Sequence, residues 1–507
     1  MVNENQSPNE KSTLINDDYK FLFDNSKGFI RIPIWGHIPL TDFAKSVIAH
    51  PNFFRLRGIK QLSFVEYVFP GATHTRLEHC IGVFHLTKSI FQSLVLNEVN
   101  FDNPQKKEFL KPENIKTLLA GALLHDLGHY PHAHLVETLK FSKNESSVFT
   151  HHQEMAEKFL FEKVDGISIA DILENEWKID PKRVVTIING NKKKEPIAKI
   201  VSGTLDPDKM DYIIRDAHHC SVPYASVDIG RLIESFVLDI ERNRLAITEK
   251  GIAPFESLIF SKYMMTRHIY WHHTVKSFGS MLKLFVQEAL DKNIISSGKL
   301  MKIFYESNDE ELLFRLLEQF KKHREDFGFV ELLELLKKRK PYKSLVTVVF
   351  SKTENTSFKK GIVRIPTGVM DHHSERSAKK LKSSNNLINT LNKLHLDPVF
   401  RRKTELNLIK MLNKKHQNQL EIKEHELIID APGFDSIFEY DDLRELQVYD
   451  PKKNNYYSLN GSHLTMFQPE FISGFEPFSK ELQVLVHPRL LTLLKENKTD
   501  ILRELIG

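Results

Sequence analysis

The chain has 507 residues, a net charge of +5, 41% hydrophobic and 27% charged content. This is the balance of a globular protein with two to four domains, or one large domain with additions. No apolar run approaches the ~20 residues of a membrane helix, and two cysteines, Cys80 and Cys220, cannot build a disulfide framework. The polar opening "MVNENQSPNEKSTLINDDYK" lacks a secretory signal core, so the expected setting is a reducing cytoplasm without membrane contact.

Residues 1–25 read as a flexible arm. Over residues 26–300 the chain is dense in helical patterning, and residues 301–507 read as a smaller helical and mixed α/β part, so the expected fold class is mainly α. "LTDFAKSVIAHPNFFRLRGI" reads as a helix, a break at Pro51 and a second short helix. "THTRLEHCIGVFHLTKSIFQSLVL" carries apolar residues at helical spacing, and "IKTLLAGALL" is apolar on all sides and therefore buried. Further on, "EELLFRLLEQFKKH" and "FVELLELLKKRK" are amphipathic helices and "SLVTVVFSK" is a strand. "DHHSERSAKKLKSSNN" is a polar linker or loop. From Arg376 to Lys415 eleven Lys/Arg face two acids, and the short strands in "ELIIDAP" and "LQVYDP" follow.

Three segments carry chemistry. "HDLGHYPHAH" closes the apolar "LLAGALL" helix with the pair His125-Asp126. A buried carboxylate needs a partner, and imidazole plus carboxylate suits Mn, Fe, Zn or Mg. The bland alternative is a capped helix end whose histidines reach solvent. "HTRLEH" places Arg76 one turn before His79, a pairing suited to a metal beside an oxyanion. On a helix, "LDPDKMDYIIRDAHH" groups Asp208, Lys209, Tyr212 and Asp216 on one arc, with Met210, Ile213, Ile214 and Ala217 opposite and facing the core. Two imidazoles and two carboxylates, His79, His125, Asp126 and Asp208, would leave coordination positions open for water and substrate. With Arg76 and Lys209 nearby, the set suits metal-assisted hydrolysis of a phosphate ester or anhydride.

"HTRLEH", "HDLGHYPHAH" and "DPDKMDYIIRD", in this order, resemble the motifs of HD-domain deoxynucleoside triphosphate triphosphohydrolases, and the likeness runs over about residues 29–280. The resemblance implies an HD-domain helical core and hydrolysis of a dNTP to deoxynucleoside and triphosphate. It makes His79, His125, Asp126 and Asp208 the ligands of a divalent metal ion (Mn, Fe, Mg or Zn). His134 becomes the general acid, Glu137 its orienting partner, His129 a second active-site histidine, and His152 or its neighbour His151 a third. Arg76, Lys209 and Tyr212 match phosphate contacts. Gln61 and Asp216 match contacts to the sugar 3′-hydroxyl, and Tyr270 the ring packed where a 2′-hydroxyl would clash.

Four positions depart from the family pattern. Lys262 stands for a phosphate-binding arginine, keeping charge without bidentate geometry. Ala49 and Phe54 stand where guanine-activated members read the base, although Arg57 remains. His273 replaces a lysine. The resemblance also implies a homo-oligomer, with a tetramer favoured, and a nucleotide effector, in dNTP pool control or phage defence. The alternatives are another HD phosphohydrolase, acting on nucleoside monophosphates or guanosine tetraphosphate, and a nucleotide-sensing or nucleic-acid-binding module that uses the basic run.

Overall fold

The structure, a computed structural model, describes residues 17–351 except 103, 140–146, 192–195, 201, 202 and 204, then 357–359, 362–366, 390, 393–416, 420–431, 446–460, 462, 464–468 and 481–506. The linker expected over 371–386 lies outside these residues, as does the arm up to residue 16. From Asp17 the chain is already helical and Leu22 is fully buried. The fold is mainly α with small sheets. It divides into two compact units, each assembled from separate stretches.

The first unit takes the described residues of Met1–Pro131, His151–Thr266 and Phe438–Gln468. Its spine is the helix Arg76–Leu96 (α1), which buries Cys80, Ile81, Val83 and Phe84. The helix Pro112–Leu124 (α2) begins with proline at its first turn, where a missing N–H costs nothing, and ends at His125. The helix His152–Phe161 (α3) follows. The helix Pro207–His219 (α4) is capped by Asp206, whose side chain accepts from the Lys209 N–H, with Pro207 in the first turn. The break at Pro51 separates the helices Asp42–Ala49 and Pro51–Phe54. An antiparallel hairpin, Phe29–Ile32 with Gly36–Pro39, packs Ile32 and Ile38 on Ile81 of α1 and so seats Trp35 at its turn. A four-stranded sheet runs in the order Asn455–Ser458, Gln447–Asp450, Arg244–Thr248, Phe236–Asp239. Its central pair, Ile247 with Val448, is parallel.

The second unit takes the described residues of His132–Thr150, Arg267–Ile437 and Pro469–Gly507. The helix His273–Asp291 (α5), the two amphipathic helices Asp309–Phe320 and Val330–Lys337, and the helix Pro398–His416 (α6) accompany a five-stranded sheet. The expected strand is Lys343–Ser351, with Glu481–Val486 antiparallel beside it and Leu427–Asp430 beyond. Leu345, Val346, Val484, Leu408, Leu412, Ile501 and Leu502 form its apolar core. The two C-terminal strands legible in the sequence thus belong to different units: Leu427–Asp430 to the second, Gln447–Asp450 to the first. Two residues of the described part of the basic run are ion-paired within its unit. Arg402 meets Glu288 and Glu405, and Lys415 meets Asp500.

Candidate metal centre

At the junction of α1, α2 and α4 four side chains converge. His79 Nε2 lies 3.1 Å from His125 Nε2, 3.0 Å from Asp208 Oδ1 and 3.8 Å from Asp126 Oδ2. His125 Nε2 lies 3.5 Å from Asp126 Oδ1 and 3.8 Å from Asp208 Oδ1. Metal bonds of about 2.0–2.2 Å would put donor atoms about 3.0–3.6 Å apart, and the distances of 3.0, 3.1 and 3.5 Å fall in that range while the two of 3.8 Å lie just outside it. The backbone places these groups for reasons legible in the elements. α2 delivers His125 and Asp126 at its end, α1 delivers His79 from its first turn, and α4 delivers Asp208 from its own.

Both imidazoles are held with Nε2 inward. His79 Nδ1 donates to Asp211 Oδ2 at 2.8 Å, and His125 Nδ1 donates to the Ala122 carbonyl at 2.9 Å. Fixing the outer nitrogen as donor leaves the inner lone pair for a metal. Asp211 is itself clamped: Arg215 gives it two hydrogen bonds of 2.8 Å, and Trp35 Nε1 gives a third. Gly82 makes this approach possible, because a Cβ there would lie 1.9 Å from Asp211 Oδ1 and 2.6 Å from the Arg215 guanidinium.

The electrostatics favour one further positive charge here, either a proton on His79 or a bound cation that displaces it. Three carboxylates (Asp126, Asp208, Asp211) face two guanidiniums (Arg76, Arg215). Burial disfavours a charged His79, yet hydrogen bonds to Asp208 and Asp211 lift it to about 10. Burial would raise Asp211, but the hydrogen bonds from Arg215 and His79 hold it at about 2. Burial likewise opposes charge on Asp126, and Arg76, followed by His129 and His125, holds it well below the usual carboxylate range. His79, His125, Asp126 and Asp208 could therefore hold a divalent ion.

Beside the cluster, His129 Nδ1 is 3.2 Å from Asp126 Oδ1, and its ring packs on His152 with centroids 3.9 Å apart. His152 is buried and His151 exposed. Gly128 lets this loop touch α3, since a Cβ would meet the His152 carbonyl oxygen at 1.8 Å. Arg55 fixes the loop from the other side. Its guanidinium donates to the Leu127 and His129 carbonyls and stacks over Phe159 at 3.8 Å.

The remaining expected residues are distributed as follows. Arg76 pairs with Asp126 inside the cluster. Lys209 turns its ammonium to the Gly203 carbonyl (2.9 Å) and Asp206 (3.4 Å). Tyr212 is half-buried on α4, and Lys262 is half-buried near the end of the helix Ile252–Met265. Asp216 is 1% exposed and bonded to His74. Gln61 follows the bridge of Lys60 to Thr75, and its Oε1 is buried with no hydrogen-bond partner. Ala49 and Phe54 are exposed, and the Arg57 guanidinium lies 4.9 Å from the Phe54 ring. His134, Glu137, Tyr270 and His273 belong to the second unit.

Sequence reading missed Asp211, Arg215, Trp35 and Arg55. A signal for the first two existed: an Asp–Arg pair four residues apart on a helix, interleaved with Met210 and Ile213, reads as a buried ion pair. Trp35 and Arg55 reach their partners from distant chain segments and leave no local signal.

Two family models match the chain: the HD domain over residues 76–219 and the HD associated region over 227–370. An uncharacterized protein of Methanocaldococcus jannaschii is 28% identical over 268 residues, 52% of this chain and 51% of the relative. The deoxynucleoside triphosphate triphosphohydrolase SAMHD1 homolog of Dictyostelium discoideum is 27% identical over 279 residues, 54% of this chain and 51% of the relative. The chain thus spans about half the length of these curated relatives. A solved phosphohydrolase of Bacteroides thetaiotaomicron shares the fold, with a TM-score of 0.58 at 18% identity, over 91% of this chain and 100% of that one. The chain carries an HD domain with its associated region, and it resembles the HD dNTPases. Among the described residues no helix is long and apolar enough to cross a membrane.

Proposed function

We propose that the protein is a metal-dependent hydrolase that splits a dNTP into deoxynucleoside and triphosphate. The observation that carries this reading is the inward-facing quartet His79, His125, Asp126 and Asp208, with the outer nitrogen of each imidazole committed to a fixed acceptor. A divalent ion bound there supplies Lewis-acid polarisation of the phosphoryl group. The chain's own groups do the rest. Arg76 sets positive charge at the cluster, where a triphosphate would place negative charge. His129, beside Asp126 and packed against the His152 ring, is placed to move a proton. Along α4, Asp208, Tyr212 and Asp216 stand at i, i+4 and i+8, and the family resemblance supports metal, phosphate and sugar roles for them in that order.

The family resemblance supports further assignments: His134 as general acid oriented by Glu137, Lys209, Tyr212 and Lys262 at the phosphates, and Tyr270 against the sugar. It also supports a cytoplasmic homo-oligomer, with a tetramer favoured. Ala49 and Phe54 cannot hydrogen-bond a base edge, so any effector is not strictly a guanine nucleotide.

The test is direct. Purified protein is incubated with each dNTP, singly and mixed, with Mn or Mg and with or without GTP. Expected is triphosphate release without a strict need for GTP. Inorganic phosphate from monophosphates, or pyrophosphate from guanosine tetraphosphate, with no triphosphate from any dNTP, would assign a different HD phosphohydrolase.

A further inference from the structure

The hairpin Phe29–Ile32 with Gly36–Pro39 carries a strained turn. Its strands close at the pair Ile32–Gly36, which leaves a loop of Pro33, Ile34 and Trp35. The Trp35 N–H donates back to the Pro33 carbonyl at 3.0 Å, and Ile34 between them sits at φ +76°. A β-branched residue rarely enters that region, and it stays there only where its surroundings enforce the conformation. The surroundings here are the seat of the half-buried Trp35 ring, which packs on Ile32, Ile38 and Ile81 and lies beside His85 with centroids 6.0 Å apart.

That seat aims the indole N–H at Asp211 on α4, 176 residues further along the chain. The Asp211 side chain is sealed from solvent and its acceptors are filled. Oδ1 takes the Trp35 indole and Arg215 Nη2, while Oδ2 takes Arg215 Nε and His79 Nδ1. Each oxygen thus has one donor for each of its two lone pairs. Arg215 lies four residues away on the same helix, so its fork holds the carboxylate from α4 itself. Trp35 supplies the anchor that comes from another part of the unit, and an indole can only donate.

We propose that Trp35 is a positioning residue for the metal centre: its indole N–H fixes Asp211, and Asp211 in turn holds His79 with Nε2 toward the ion. This rests on the reading of His79, His125, Asp126 and Asp208 as a divalent-metal site. Trp35 acts through two side chains in series. The strained turn at Ile34 is then the local cost of placing a donor behind a ligand.

The experiment measures Mn(II) and Zn(II) affinity of the full-length protein by competition with a chelator, in wild type, Trp35→Phe and Trp35→His, with melting followed by circular dichroism. Phe keeps an apolar ring on Ile81 and loses the donor. In His the path Cβ–Cγ–Cδ2–Nε2 matches the indole path Cβ–Cγ–Cδ1–Nε1, so an N–H returns to the same place on a smaller, more polar ring. Expected is a fall in affinity of about tenfold in Phe, largely restored in His, although His gives up more apolar contact and melts lower than Phe. Metal affinity and stability should therefore rank the two variants in opposite orders, which a merely structural Trp35 would not produce. Wild-type affinity in Phe, or affinity in His no higher than in Phe, would overturn the proposal while leaving the metal reading intact. Should Phe fail to fold, β-(3-benzothienyl)alanine placed at position 35, an indole with sulfur in place of N–H, makes the same comparison, and wild-type affinity there would overturn the proposal equally. A wild type that binds neither ion would overturn the metal reading, and this one with it.

Discussion

Beneath its candidate metal centre the first unit buries charge. Asp211, Arg215 and Asp216 are at most 1% exposed, each tied to a named partner. The interior of the second unit around Val346, Leu412, Val484 and Ile501 is hydrocarbon. The contrast follows from what each interior does. Buried ion pairs contribute little net stability, because desolvation offsets their attraction, but they fix geometry. Apolar packing is the reverse: it stabilises in proportion to buried area and specifies no proton or ligand. Beneath the candidate centre the interior is thus specified by charge, and around Val346 and Leu412 by packing, with Arg402, Glu288 and Glu405 the ionic exception in the second unit.

The largest effect should come from the centre itself. Changing His125 and Asp126 together to Ala should remove bound metal, read by elemental analysis, and turnover with it. Full activity in that variant would sink the metal assignment. In the second unit, Leu412→Ala should cost about 2–5 kcal/mol of stability in a denaturant titration with metal affinity unchanged, so a loss of metal at equal foldedness would erase the contrast. Asp211→Asn tests the clamp. Without a carboxylate to hold its outer nitrogen, His79 should lose its orientation and metal affinity should fall about 10–100-fold, measured by competition with a chelator. An unaltered affinity would mean that Asp211 serves packing alone.

The smallest effect concerns the charge that the second unit does carry. Burial, together with Arg401 and Lys276 and against the opposing pull of Asp430, depresses Lys283 to about 8. A folded-state value below the unfolded one means that the unfolded chain binds the extra proton between pH 8 and 10.5. Stability should therefore rise with pH across that window. The gain should be on the order of 1 kcal/mol, since the ammonium is partly screened by water. Lys283→Met should flatten the slope in pH-dependent melting; a persisting slope would locate it elsewhere.

The sequence disclosed most where periodicity and chemistry coincided. α2 and α4 could be placed because apolar residues at helical spacing ended in, or alternated with, ionisable ones, and three of the four residues that meet at the candidate centre, His125, Asp126 and Asp208, lie on them or at their ends. The hairpin Phe29–Ile32 with Gly36–Pro39 was not, and its Trp35 reaches Asp211 across 176 residues of chain. The division into units was equally hidden. "ELIIDAP" and "LQVYDP" have the same strand character, and nothing local states that one returns to the first unit while the other stays in the second. Likewise Asp216 reads as one member of a polar stripe, although His74 draws it out of solvent.

The parallel pairing of Ile247 with Val448 has a consequence for how this protein is made. The helices that carry the proposed ligands leave the ribosome early, yet the sheet in the same unit waits for Gln447–Asp450 and Asn455–Ser458. Until then the strand Arg244–Thr248 has an open edge, the kind of surface on which nascent chains aggregate. A ribosome stalled after about residue 300 would display every proposed metal ligand on a unit whose sheet is incomplete, and cutting the gene there would yield a fragment in need of a chaperone rather than a smaller self-sufficient protein.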